Sequence, residues 1–268
     1  MELGVRAEVS VDARCAGARQ RAITEHILAL AGRAGHGAAL IDAAGAAVTT
    51  WPQFAATIRA AAGGLSRRGL REDDTAGVLT EDAVSHAVAI HSIRAAGAVA
   101  APVQAAAADV AGQLKQCRAR LLITSAALAE LAIDAAERSL VRQVVTFGEA
   151  EGATPFSDLV ETAKHGRPGI PRVADLRDLP DFDLNGLVLD AYALRLTSRD
   201  VVVAAPPCGR DDSYTSLLDL ALAAGATVVA APLTQITAAV AAYRGTAAIV
   251  PAGTDVPALP ADRILTVG

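Results

Sequence analysis

The chain reads as an α/β protein: mainly parallel sheets with helices on both faces, in two similarly built lobes. Three observations predict this. Short apolar segments such as TAGVLT (75–80), RLLIT (120–124), QVVTF (143–147) and DVVVAA (200–205) alternate with stretches of helical length. These segments lack polar alternation, as strands do when both faces are covered. A third sign is an internal echo, in which AAGAVAAPVQAAAADVAGQL (95–114) and AAGATVVAAPLTQITAAVAAY (223–243) share a helix–Gly–strand–Pro–helix order. Any Ala-rich α/β unit would produce some of that echo; two alike lobes would produce all of it.

In chain order, TEHILAL (24–30) opens a first helix and AALID (38–42) is a short strand. Thr50 is the expected N-cap of the next helix, with Gln53 completing a capping box. Phe54, Ile58, Ala61, Ala62 and Leu65 then fall on one face, and Gly69 is placed to end the helix in a left-handed turn. After the strand 75–80, a helix runs from Glu81 with acids in its first turn, where the helix dipole favours them. Gly97 ends it, and AVAAPV (98–103) is a buried strand. Helices near 108–118 and 126–139 alternate with the strands 120–124 and 143–147. The interval 149–183 is rich in Gly, Pro and charge and reads as a linker with one short helix at 156–163. Beyond it come the strand 200–205, a helix near 213–224, the strand ATVVAA (226–231), a helix near 235–243, and the strands TAAIV (246–250) and RILTV (263–267). The expected organisation is a disordered leader at 1–22, a first lobe at 23–148, the linker 149–183, and a second, incomplete lobe at 184–268.

Composition narrows the function classes. The 268 residues are 52% hydrophobic with a formal charge of −5, which leaves no electrostatic footprint for nucleic acid or anionic membrane. No apolar run reaches the roughly 20 residues needed to span a bilayer, and the first twenty residues carry scattered charge instead of a secretory apolar core. Cys15, Cys117 and Cys208 are distant and odd in number, which argues against a disulfide framework and for a cytoplasmic location.

Six segments stand out in order: TEHILALAGRAGHGAALID, TTWPQFAATIRAAAGGLSRRGLREDD, HSIRAAGAVAAPV, LRLTSRDVVVAAPP, LALAAGATVVAAP and LPADRILTVG. Together they resemble the adenylate-forming acyl-CoA synthetase superfamily, which includes aryl-CoA ligases, luciferases and non-ribosomal adenylation domains. The resemblance covers about residues 24–268 and implies part of that family's large N-terminal domain. It also implies ATP, Mg²⁺ and CoA as the family's reactants.

The departures from the family pattern shape the functional expectation. Members carry a loop of the form (S/T)-(S/T)-G-T-T-G-x-P-K-G ahead of a helix containing H-x-N-L. Here DFDLNGLVLDAYALRL resembles that helix, with Asn185 near the polar position, but VADLRDLP precedes it. Such a loop cradles a triphosphate with successive amide N–H groups, small hydroxyls and a lysine. The lysines of this chain are Lys115 and Lys164, neither in that setting. Arg210 falls where the resemblance expects a histidine, and the family's later Y-G-x-T-E motif, ribose-binding aspartate and catalytic lysine do not occur before Gly268. No catalytic residue, cofactor or metal site is therefore expected.

The candidate substrate-binding residues are Cys208, Arg210, Asp211, Ser213 and Tyr214, in a polar loop (207–214) following a buried strand. Ligands of open parallel sheets sit beyond the carboxyl ends of strands. The plainer reading is that Asp211 and Asp212 cap the next helix while Arg210 makes a surface ion pair. His86 and His91, five apart on one helix, do not share a face for metal binding and read as ordinary helix residues. GRAGHG (32–37) precedes a strand and reads as a turn, not a dinucleotide fingerprint. Trp51 reads as a packing residue.

The functional expectation is a degenerate acyl-CoA synthetase-like protein that no longer adenylates and has a binding or assembly role. Its partner would be a second copy, an active ligase or another biosynthetic protein. One alternative is a lobe of a split AMP-forming ligase completed by another chain. A further alternative is a small-molecule enzyme using the 207–214 loop.

Overall fold

The apolar runs form two sheets, one from consecutive strands and one from strands at both ends of the chain. The computed structural model describes residues 13–33, 35–105, 109–161, 195–207, 213–260 and 263–267. One sheet joins β1 (Ala38–Asp42), β2 (Ala47–Thr50), β8 (Val201–Ala204), β9 (Thr227–Ala230), β10 (Ala247–Pro251) and β11 (Ile264–Val267), in the order β11-β10-β8-β9-β1-β2. The other joins β3 (Thr75–Leu79), β4 (Val99–Pro102), β5 (Leu121–Ser125), β6 (Gln143–Phe147) and β7 (Thr154–Pro155), in the order β4-β3-β5-β6-β7. Every pairing is parallel except the β1–β2 hairpin.

The segment expected as one lobe, 23–148, thus gives β1 and β2 to the other sheet. β1 lies parallel to β9, with Leu40 opposite Val228, and the Thr227 hydroxyl donates to the Ala38 carbonyl at 2.8 Å. Local pattern cannot reveal such an exchange, because an apolar strand pairs equally well with any apolar neighbour.

Between the sheets lies a layer of helices: α1 (Ala13–Ala31), α2 (Trp51–Arg67), α3 (Ala83–Ala95), α6 (Phe156–Glu161) and α7 (Ser213–Ala223). Ile27, Phe54, Ile58, Leu65, Ile90, Ile93, Leu159 and Leu222 fill that layer, in one buried cluster that also takes in strand residues of both sheets. Outside, α4 (Val110–Gln116) and α5 (Ala129–Glu137) cover one sheet, while α8 (Ile236–Tyr243) covers the other. Both faces of each sheet are covered, which is why the strands lack polar alternation.

The local signals largely fold as their chemistry dictates. Thr50 accepts from the Gln53 amide and Gln53 reaches back, forming the capping box. Trp51 is buried edge-on to Phe54 at 6.2 Å, a packing residue. Gly97, at φ +87°, turns the chain from α3 into β4, a conformation that side chains avoid.

Two boundaries differ from expectation. The first helix starts at Ala13, inside the stretch expected as a disordered leader. Its polar residues make distant contacts: Gln20 bonds both the amide and the carbonyl of Ala100, and Arg21 reaches Glu72 at 2.6 Å and the Gly97 carbonyl at 3.2 Å. Scattered charge there signals bridging, not solvation. Within the expected linker 149–183, residues 154–155 form β7 beside β6, and α6 packs on α2, with Phe156 stacked on Phe147 at 4.3 Å. Residues 162–183 lie outside the described residues.

Candidate functional site

A cleft of about 440 Å³ opens at the carboxyl ends of β1, β8 and β9, where ligands of parallel sheets bind. Asp42, Glu81 and Asp82 line it together with Ala230, Pro206 and Pro232. The carboxylates have local duties as well: Asp42 accepts from the Ala44 amide at 3.0 Å, and Asp82 caps α3 through the Ser85 amide at 2.7 Å. The described lining carries carboxylates and no cation. Among the described residues, no group of three His, Cys, Asp or Glu side chains could hold a metal ion.

Pro206, in the lining of this cleft, precedes the 207–214 loop expected to bind substrate. Cys208, Arg210 and Asp211 lie outside the described residues, as does Asn185. Ser213 opens α7 half-buried. Tyr214 is only 2% exposed; its hydroxyl donates to the Ala205 carbonyl at 2.6 Å, and its ring meets His86 edge-on at 5.5 Å. This tyrosine points into the helical layer and fixes the strand end from which the loop departs.

Behind Tyr214 runs a buried polar network that the histidine spacing alone does not announce. His86 contacts the hydroxyls of Thr80 (Nδ1, 3.2 Å) and Thr215 (Nε2, 2.9 Å). His91 contacts the Thr24 hydroxyl through Nδ1 at 2.9 Å and faces Asp219 through Nε2 at 3.5 Å. Arg94 donates to both carboxylate oxygens of Asp219, at 2.8 and 3.0 Å. All four ionisable groups are buried, so two carry paired charge and two are neutral imidazoles. Burial first, and then the Arg94 charge, push His86 down to about 3 and His91 well below the usual imidazole value. The carboxylate beside His91 does not reverse this, because Arg94 already neutralises it.

The five-residue spacing does separate the histidines around α3, as expected. α3 is nevertheless buried on most sides, so both rings meet partners, one from β3 and α7, the other from α1 and α7. A signal was present in sequence: His86, His91 and Arg94 are the ionisable residues of the largely apolar AVSHAVAIHSIRA, and Asp219 is the acidic residue of SYTSLLDLALA, with leucines on both sides. A cation and an anion on two buried helices mark each other as partners.

An α/β architecture with two largely parallel sheets around a shared helical layer, and a cleft at carboxyl strand ends, matches the large N-terminal domain of AMP-binding ligases. The chain belongs to the AMP-binding enzyme family, whose model matches residues 29–178. The apo structure of MbtA from Mycobacterium smegmatis is similar, with a TM-score of 0.70 at 22% identity over 86% of this chain and 48% of that one. So is the anthranilate CoA ligase AuaEII in complex with anthranoyl-AMP, with a TM-score of 0.71 at 17% identity over 88% of this chain and 53% of that one. The long-chain-fatty-acid-CoA ligase FadD1 of Archaeoglobus fulgidus gives 0.68 at 17% identity, covering 85% and 51%. The chain therefore spans about half the length of these structures. No curated protein matches it. Among the described residues, no helix is long and apolar enough to cross a membrane.

Proposed function

We propose that this chain does not adenylate carboxylates by itself and serves in a binding or assembly role within the AMP-binding family. The observation that carries this reading lies in the sequence: between Ala163 and Leu196 there is no serine or threonine. A triphosphate cradle needs small hydroxyls and closely spaced amide donors, with a cation beside them. The acidic lining of the cleft at β1, β8 and β9 supports the same reading, since it repels polyphosphate. A partner would be engaged through polar surface, because Val48, Leu140 and Leu233 are the exposed large apolar side chains among the described residues. The test is calorimetric titration of the purified chain with ATP and Mg²⁺, paired with a pyrophosphate-exchange assay over a panel of carboxylates. No heat of binding tighter than about 1 mM, equivalent to about −4 kcal/mol, is expected. Exchange by the lone chain would refute the reading.

The family match over residues 29–178 and the fold shared with the ligases' N-terminal domain favour a second reading, a lobe of a split AMP-forming ligase completed by another polypeptide. Adding a chain that supplies the missing parts would then restore pyrophosphate exchange. Continued silence with every carboxylate tried would dismiss it.

A further inference from the structure

At the opposite end of the other sheet, the amino ends of β3, β5 and β6 border an open groove of about 700 Å³. Its lining includes Arg118, Arg120 and Arg142, the carboxylates Asp73 and Asp74, and the apolar Leu140 and Val141. The cleft already described sits at carboxyl strand ends of the six-stranded sheet, so the two are separate.

The strand register brings the arginines together. Leu121 is opposite Gln143, so Arg120 and Arg142, one residue earlier, stand side by side on adjacent strands. The Arg142 amide donates to the Arg120 carbonyl at 2.9 Å, extending the ladder to this pair. Adjacent strands lie about 4.8 Å apart, and like charges directly opposite are destabilising. Asp74 relieves part of this through a 3.5 Å contact with Arg120. Among the described residues, neither Arg118 nor Arg142 has a side-chain hydrogen bond or ion pair.

Arg118 adds a second oddity. It follows α4 with φ +55°, a left-handed position where glycine is favoured. An arginine there works against backbone preference while adding a third guanidinium to the cluster. Leu140, 55% exposed, stands at the same groove and is one of the few large apolar side chains left to solvent. Exposed arginines beside an apolar side chain compose the kind of surface that partner proteins use.

We infer that this groove docks an acidic segment of a partner protein, with carboxylates on Arg118, Arg120 and Arg142 and an apolar side chain against Leu140 and Val141. The occupant is acidic because three guanidinia face the groove against two carboxylates, and Arg118 and Arg142 have no carboxylate partner among the described residues. This rests on the proposed binding role, which pyrophosphate exchange tests independently; the groove can fail while that role stands.

The experiment uses the full chain and a fluorescein-labelled peptide alternating glutamate with leucine, followed by anisotropy at low and high salt. Binding is expected at low salt, with weakening as salt rises and no binding of the matching glutamine–leucine peptide. Arg142→Gln should weaken binding on the order of fivefold. Arg118→Gly is the sharper variant: it removes a guanidinium while relaxing the backbone, so binding should fall while Tm holds or rises. Equal binding of both peptides, or unchanged affinity in both variants, would overturn the assignment. Displacement of the peptide by millimolar inorganic phosphate would also overturn it, by marking a small-anion site.

Discussion

Arg94 and Asp219 are 125 positions apart in sequence, yet the Arg94 Nη1 lies 2.8 Å from an Asp219 carboxylate oxygen in the buried helical layer. The pair bolts α3, which belongs with the five-stranded sheet, to α7, which belongs with the six-stranded one.

Removing one partner leaves the other charge buried without compensation. Asp219→Ala should lower unfolding free energy by about 3–5 kcal/mol, read from urea denaturation. The double variant Arg94→Met/Asp219→Leu should recover much of that loss. A double variant as unstable as the single one would show that the pair stabilises beyond the avoidance of unpaired charge.

Acid should weaken the fold through the histidines. His86 titrates at about 3 in the folded chain against about 6.5 when unfolded, so below 6.5 the unfolded state binds more protons. The stability of the neutral imidazole is complete above about pH 6.5 and is lost progressively as pH falls toward 3. The slope contributed by one such histidine is about 1.4 kcal/mol per pH unit. Chemical denaturation across pH 4–7 should show it, and His86→Gln should remove that one share while the share of His91 remains. An unchanged slope in that variant would assign the acid sensitivity elsewhere.

Gly64 permits a backbone contact between α2 and α6. A Cβ at Gly64 would lie 2.5 Å from the Leu159 carbonyl oxygen and 2.7 Å from its Cα, and neither atom can swing aside. Gly64→Ala should therefore destabilise by about 1–3 kcal/mol, despite the better helix propensity of alanine. A rise in Tm would mean that α6 is not held against α2 in solution.

Tyr214→Phe should cost about 1 kcal/mol by orphaning the Ala205 carbonyl while keeping the ring contact with His86. Thermal unfolding reads the loss.

Much of the local architecture was legible because it rests on neighbours in sequence. The Thr50–Gln53 box, the glycine after α3, and the strands at 143–147 and 201–204 follow from hydrogen-bonding chemistry and apolar runs that a few residues define. The start of α1 was not legible, because Gln20 and Arg21 gain their partners at Ala100, Glu72 and Gly97, far along the chain. Of the residues first singled out as a site, Tyr214 is placed in the core, while the buried network was visible only as ionisable residues on apolar helices.

The sequence by itself determined most of the elements, the α/β class and the lack of small hydroxyls between Ala163 and Leu196, because each depends on residue type and short spacing. Only the tertiary structure decided that β1 joins β9, that Arg94 meets Asp219, and that Arg120 stands beside Arg142. Those pairings depend on which distant surfaces pack together, and interchangeable apolar strands do not encode that choice locally.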